Sequence, residues 1–233
     1  MKKTRQAFLV ALATSLTLPT FAEEQSPIIV TATRTAQTAD ESLASVTVIT
    51  KEQIEQQQAN DLFDVLANIA GIDMVNSGGI GKSTSLYMRG TNTGHVLVMI
   101  DGVQVGSATT GQAAYQDIPV ELIERIEVVR GARASLYGSE AIGGVIQIFT
   151  RKPTHTTSLN FSSLIASHNT KKNVAGISGK LNKTSYSLQA STLSSDGFNI
   201  KDDKNPDNDG YKQNSANIFI THEFNNTDNL ELS

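Results

Sequence analysis

The residues of this chain with the strongest claim to chemistry lie in Gly78-Gly79-Ile80-Gly81-Lys82-Ser83-Thr84, which follows the apolar run Ile72 to Val75. Glycines, a lysine and a hydroxyl in this order are what a phosphate-cradling loop uses, with backbone N–H groups and one ammonium facing the anion. The spacing does not hold: the first glycine of that motif would stand at position 76, which is Asn76. The segment that follows, Ser85 to Met88, alternates like a strand, whereas the motif needs a helix there. The four histidines, His95, His155, His168 and His222, are too scattered for zinc spacing, and there is no nucleophile elbow. The residues therefore point away from an enzyme. Asp207-Asn208-Asp209-Gly210, in the loop from Asn199 to Gly210, is rich in the hard oxygen donors that calcium prefers. On composition alone the same run reads better as a solvated acidic loop. Arg89, Glu127 and Arg130 lie among apolar neighbours and read as structural ion pairs, because buried charges need partners.

Two kinds of sequence must position these groups. Residues 36–152 mix short helices with short strands, giving an α+β domain large enough to close its own core. Thr50 and Gln53 have capping-box spacing and predict a helix running through Ile54. Asn60 or Asp61 caps a second helix, with Leu62, Val65, Leu66 and Ile69 on one face and Gly71 beyond its end. Strands are expected at Val46–Ile49, Ile72–Val75, Ser85–Met88, Val96–Ile100, Ile126–Val129 and Val145–Phe149. Ile118-Pro119 opens a short turn.

From position 153 to position 233 the pattern becomes alternation. In Thr184 to Leu193, Tyr186, Leu188 and Ala190 face one way and Ser185, Ser187, Gln189 and Ser191 the other, as between lipid and a wet lumen. Ala216, Ile218, Ile220 and Phe224 alternate with Asn217, Thr221 and Glu223, although Phe219 and His222 blur the pattern. The connections are expected to be moderate at His168 to Asn173, tight at Asn182-Lys183, long at Ser194 to Asn214 and short at Asn225 to Asn229. That asymmetry suits antiparallel strands of an outer-membrane β-barrel; a soluble β-sandwich is the alternative.

The start of the chain supports export. Residues 1–22 read as a cleavable signal: Lys2, Lys3 and Arg5, an apolar stretch from Ala7 to Leu18, then Thr20-Phe21-Ala22. The apolar stretch falls short of the roughly 20 residues of a spanning helix. Removing the leader takes three cations away and moves the formal charge from -4 to -7, which argues against a nucleic-acid partner. Cysteine is absent, so no disulfide framework holds the exported protein together.

The run Leu86-Tyr87-Met88-Arg89-Gly90-Thr91-Asn92 with His95 to Val103 resembles the plug domain of TonB-dependent outer-membrane receptors. So do Ile118-Pro119 through Ile126-Glu127-Val128-Val129-Arg130-Gly131, Leu136-Tyr137-Gly138-Ser139, and Ala141 to Ile146. The resemblance implies an N-terminal segment at 23–35, a plug at 36–152, and at 153–233 the first strands of a barrel that is incomplete in this sequence. Four strands and the start of a fifth at Leu230 fall far short of a family barrel of about 22, and an open edge is not tolerated in lipid. The expectation is that the chain as written does not span the membrane stably by itself and would stay in the periplasm or be degraded.

Ser26-Pro27-Ile28-Ile29-Val30-Thr31-Ala32-Thr33-Arg34 resembles the TonB box, which implies TonB as the energy-coupling partner through Ile28, Ile29, Val30, Thr31, Ala32 and Thr33. An extended segment rich in β-branched residues can add to a sheet edge. Too few residues precede it to hold an extra signalling domain. Within the family, the pattern is most similar to receptors for cobalamin. Their ligand contacts would fall on Ser83, Ser85, Asn92, Thr109 and Thr110, and their calcium ligands on Asn199, Asn205, Asp207 and Asp209. Ser83 stands where the cobalamin pattern has leucine, the loop around Thr109 is one residue shorter, and Asn199 replaces a carboxylate. A ferric siderophore or haem receptor, or a plug fragment that binds TonB without transporting, are the alternatives. The complete receptor is expected to be a monomer in the outer membrane.

Overall fold

The computed structural model describes residues 29–30, 37–38, 45–107, 109, 111–132, 134–200, 207–225 and 227–233. The expected leader at residues 1–22 and Ile28, Thr31, Ala32 and Thr33 of the proposed box lie outside them, as do Thr110 and Asn205. Two short strands, β1 (Ile29–Val30) and β2 (Gln37–Thr38), pair antiparallel near the N-terminus.

The α+β region is built on a five-stranded mixed sheet. Its members are β3 (Ser45–Thr50), β6 (Val96–Ile100), β7 (Val103–Gln104), β8 (Ile123–Arg130) and β9 (Gly144–Thr150), in the order β3-β8-β9-β6-β7. Only β6 and β9 run parallel. A separate hairpin pairs β4 (Ile72–Asn76) with β5 (Thr84–Met88).

Helix α1 (Lys51–Gln57) starts at Thr50 with both bonds of the expected capping box: Gln53 N–H donates to Thr50 Oγ1 at 3.4 Å, and Thr50 N–H to Gln53 Oε1 at 3.0 Å. Helix α2 (Leu62–Leu66) is capped by Asp61. It is shorter than its apolar face suggests: Ile69 lies in the turn beyond it, and Gly71 has positive φ.

Strand β8 is flanked by β3 and β9, and both its faces are covered. Ile126 and Val128 join Ile54, Leu62, Val65, Leu66, Ile146 and Ile148 in the main core. Val129 joins Leu97, Ala141 and Val145 in a second cluster, against which Tyr137 of the short helix α3 (Ala134–Tyr137) packs. With both faces covered, four consecutive residues, Ile126 to Val129, are buried whatever their polarity, and the strand runs to eight residues where the pattern led to an expectation of four.

After β9 come β10 (Ser158–Ala166), β11 (Thr170–Leu181), β12 (Thr184–Ser195), β13 (Tyr211–Glu223) and β14 (Asn229–Leu232), an antiparallel meander in chain order. The β11–β12 register sets Ser187 opposite Ser178, and the β12–β13 register sets Phe219 opposite Ser187, all three on the covered face. Leu159, Phe161, Ile165, Leu188 and Ile218 are exposed on the sheet, Ile165 by 80%. Buried polar residues with exposed apolar ones invert a soluble core, as a barrel wall in lipid requires.

Phe219, which blurred the alternation, is inward-facing and nearly buried, with Lys152 Nζ 5.2 Å from its ring centroid. Two connections correct the sequence reading: residues 194–195 and 211–214 belong to β12 and β13, which leaves the long connection as 196–210. Residues 170–173 belong to β11, so the turn after β10 is only 167–169, and it closes through positive φ at His168 and Asn169. Connections of 167–169 and 196–210 thus fall at one end, and 182–183 and 224–228 at the other. Among the described residues no helix is long and apolar enough to cross a membrane.

Candidate functional site

The glycine-rich run Gly78 to Ser83 is the tip of the β4–β5 hairpin, and it sits against the long connection 196–210. Ser77 N–H donates to Ser83 O at 3.0 Å, and Gly78 N–H to the Asn76 side chain at 2.8 Å, so the tip is closed by its own bonds. Its glycines are sites of close approach. A Cβ on Gly79 would lie 3.1 Å from the Phe198 ring and one on Gly81 2.0 Å from the Tyr211 ring; both residues also have positive φ. The tip receives side chains from the loop, where a phosphate loop would receive an anion.

Lys82, the residue that made this segment look like a nucleotide site, pairs with Asp209: Nζ to Oδ1 is 3.1 Å. The other carboxylate oxygen accepts the Ile200 N–H at 3.2 Å. Tyr211 donates its hydroxyl to Asp117 Oδ1 at 3.0 Å, and Gln213 Nε2 donates to the Asp117 carbonyl at 2.8 Å. Together these bonds fasten the tip and the turn at residues 115–117 to the long-loop end of the second sheet. A cavity of about 220 Å³ lies beside them, lined by Gly78, Gly79, Ile80, His168, Phe198 and Asp209 among others.

The residues expected to meet ligand reach their places from three loops. Ser83 and Ser85 are at the hairpin end, Ser83 exposed and Ser85 half-buried. Asn92 is exposed beyond the turn that follows β5, and its Oδ1 accepts the Thr93 N–H at 2.8 Å. Thr109 follows β7 in the Ser107 to Gln112 turn, its Oγ1 2.9 Å from Ser107 Oγ. Each is held by local bonds, so all four can be positioned without a ligand. Of the expected calcium ligands, Asp207 is exposed and Asp209 is engaged with Lys82. Among the described residues no three His, Cys, Asp or Glu side chains form a metal-binding group.

Comparison with known proteins decides the family. Residues 38–145 match the model of the TonB-dependent Receptor Plug Domain. The chain is 40% identical over 223 residues to the vitamin B12 transporter BtuB of Photobacterium profundum, covering 93% of this chain and 36% of that protein. It is 35% identical over 229 residues to the vitamin B12 transporter BtuB of Vibrio cholerae, covering 94% and 38% respectively. The chain belongs to the TonB-dependent receptors. It thus spans a little over a third of the length of these relatives.

Among solved structures, the siderophore receptor PirA of Acinetobacter baumannii aligns at a TM-score of 0.63 with 27% identity, over 80% of this chain and 30% of that one. The pyoverdine outer membrane receptor FpvA of Pseudomonas aeruginosa aligns at 0.74 with 21% identity, over 87% and 29%, a likeness of fold. A plug followed by antiparallel barrel strands is therefore the architecture of this receptor chain.

In the receptor, the contacts between tip and loop form one of several ties between plug and wall. On the wall, Lys172 of β11 pairs with Glu121 and donates to the Asn60 carbonyl at 2.9 Å. These residues border a crevice of about 520 Å³ between plug and sheet. Sequence reading missed Lys82, Asp117, Glu121, Lys172 and Tyr211 as contact residues, because pairs so distant in the chain leave no local signature.

The buried charges divide. Glu127 is fully buried and paired, as expected of a buried charge, but with Arg125, which the sequence reading did not name: Arg125 Nε lies 3.0 Å from it, and the Arg125 guanidinium 3.7 Å over the Phe149 ring. For Arg130 the expectation of an ion pair needs correcting. Its guanidinium donates to neutral oxygens: the Ala70 carbonyl at 2.6 Å and Thr47 Oγ1 at 2.9 Å. Burial, then the neighbouring Arg89 charge, lowers its pKa from the usual arginine value. Hydrogen bonds to oxygen dipoles satisfy a guanidinium without a carboxylate.

Proposed function

We propose that the receptor containing this chain takes up cobalamin across the outer membrane, with the work supplied through TonB. The observation that carries this reading is the 35–40% identity to two vitamin B12 transporters over nearly the whole chain. In this reading ligand docks on Ser83, Ser85, Asn92, Thr109 and Thr110. TonB takes the extended segment Ile28 to Thr33 as an added strand and remodels the plug. No bond in the cargo is made or broken. Calcium is proposed for the loop bearing Asn199, Asn205, Asp207 and Asp209; its oxygen donors suit the ion in kind, and an ion taking both Asp209 oxygens would replace the Lys82 contact.

Cyanocobalamin binding to outer membranes that carry the receptor tests the reading. Asn92→Ala is expected to weaken binding about tenfold, the order of one lost hydrogen bond to the ligand. Ile29→Pro is expected to abolish energised uptake and leave binding intact, because the ring removes a backbone donor. Absence of cyanocobalamin binding with tight binding of a ferric siderophore would transfer the assignment to the second reading, which the 27% identity to a siderophore receptor favours.

A further inference from the structure

We propose that Lys82 is a positioning residue that couples the β4–β5 tip to the loop 196–210, so that the loop sets where the tip sits. The tip is held on two sides. Phe198 and Ile200 close over Gly79 and Gly78, where added Cβ atoms would lie 3.1 and 2.9 Å from them, and Tyr211 closes over Gly81. Tyr211 is itself anchored on Asp117.

Packing of this kind fixes contact but leaves the direction of sliding open; the Lys82–Asp209 ion pair fixes direction. Asp209 also organises the loop, since it receives the Ile200 N–H on its side chain and donates its own N–H to Phe198 O at 3.3 Å. One carboxylate thus joins the described ends of the loop, 196–200 and 207–210, and grips the tip. Lys82 is one residue from Ser83 and three from Ser85. That these serines meet cargo rests on the function proposed above, whereas the coupling stands on the contacts alone.

Coupling between two sites is reciprocal, and this makes it testable from either side. Amide hydrogen exchange would be measured on the whole purified receptor without cargo and with calcium chelated, so that Asp209 is free to hold Lys82. Asp209→Asn, a change in the loop, is expected to speed exchange at the tip amides of Ser77 and Lys82. Lys82→Met, a change in the tip, is expected to speed exchange at Ile200 and Asp209. Both effects should be about two- to fivefold, the size that a partly exposed ion pair permits. Lys82→Arg should leave all four amides at the native rate, and the exchange of charges, Lys82→Asp with Asp209→Lys, should recover most of the protection. A role confined to packing would not be rescued in this way.

Acceleration limited to the mutated element, or failure of Lys82→Arg to protect, would overturn the coupling. Cyanocobalamin affinity, measured in parallel, should fall by a similar factor in Lys82→Met. If the native receptor fails to bind cyanocobalamin, the functional reading falls while the exchange data still decide the coupling.

Discussion

The plug and the barrel strands use the same residue types with opposite polarity. In the plug, Ile126, Val128 and Ile146 are wholly buried, and the charged residue among them, Glu127, is buried with a partner. In the second sheet, most of the buried side chains are polar, Ser178, Ser187, Gln189 and Ser191 among them, and Phe161 and Ile165 are exposed by 75% and 80%. The difference lies in what solvates each face. The plug must exclude water from its interior to close a core, whereas the wall turns its apolar face to lipid and its polar face to the plug. Burial alone therefore does not measure importance here; burial combined with the medium on the other side does.

The largest expected effect tests the charged member of the plug core. Glu127→Ala should destabilise the plug by about 3 kcal/mol, the lower end of the cost of breaking a buried pair, since Arg125 retains some access to water. Native-state hydrogen exchange at the Ile126 amide would report it. Gln189→Leu on the wall removes a neutral group and should cost under about 1 kcal/mol by the same measurement at Leu188. Equal losses would mean that the two regions are built alike.

A matched pair of leucines sharpens the contrast. Leu66→Ala in α2 should cost about 3 kcal/mol, because a closed core leaves a cavity that cannot refill. Leu188→Ala in β12 should cost about 1 kcal/mol or less in detergent or lipid, where a mobile hydrocarbon chain fills the space. Exchange protection of each region reads the two values in one protein. A Leu188 cost as large as that of Leu66 would remove the case for a lipid-facing surface.

A smaller effect comes from local structure. Thr50→Ala removes half of the capping box and should cost about 1 kcal/mol, seen as faster exchange at the Gln53 and Ile54 amides. This feature was also the most legible in the sequence, because both partners lie within four residues and the geometry is fixed by the helix itself. Strand β6 was legible for a related reason: the run Val96 to Ile100 is bounded by a glycine turn on each side.

What was not legible depended on distant partners or unusual backbone. The turn at 167–169 uses His168 and Asn169 in the left-handed region; asparagine there is common, but histidine does not announce a turn. Phe219 looked out of register because its reason for facing inward is Lys152, from another part of the chain. The candidate site shows the same limit. Ser83, Ser85 and Asn92 could be marked by resemblance, but the tie from Lys82 to Asp209 spans 127 residues and appears only when the chain is folded. A lysine beside glycines suggested an anion from solution; the fold supplies the anion itself.

The smallest effect concerns pH and returns to the contrast between regions. The buried polar residues of β12 are neutral, so they add no dependence on pH, whereas the plug caps α2 with an ionisable group. Asp61 Oδ1 accepts the Asp64 N–H at 3.0 Å, and its pKa is raised, chiefly by burial, with the hydrogen bond from Asp64 opposing and the Asp64 charge adding. A carboxyl whose folded pKa lies above its unfolded value binds its proton more tightly when folded. Its contribution to stability is therefore fully present below the unfolded value near 3.8, and is lost as pH rises through the folded value. Asparagine keeps a capping oxygen and does not titrate. Asp61→Asn should therefore gain plug stability relative to the native protein as pH rises from about 4 toward neutrality, with the gain reaching a plateau above the folded pKa. Exchange at the Asp64 and Val65 amides, compared between the two proteins across that range, gives the sign directly. A gain confined to the acid end would mean that the hydrogen bond outweighs burial at this cap.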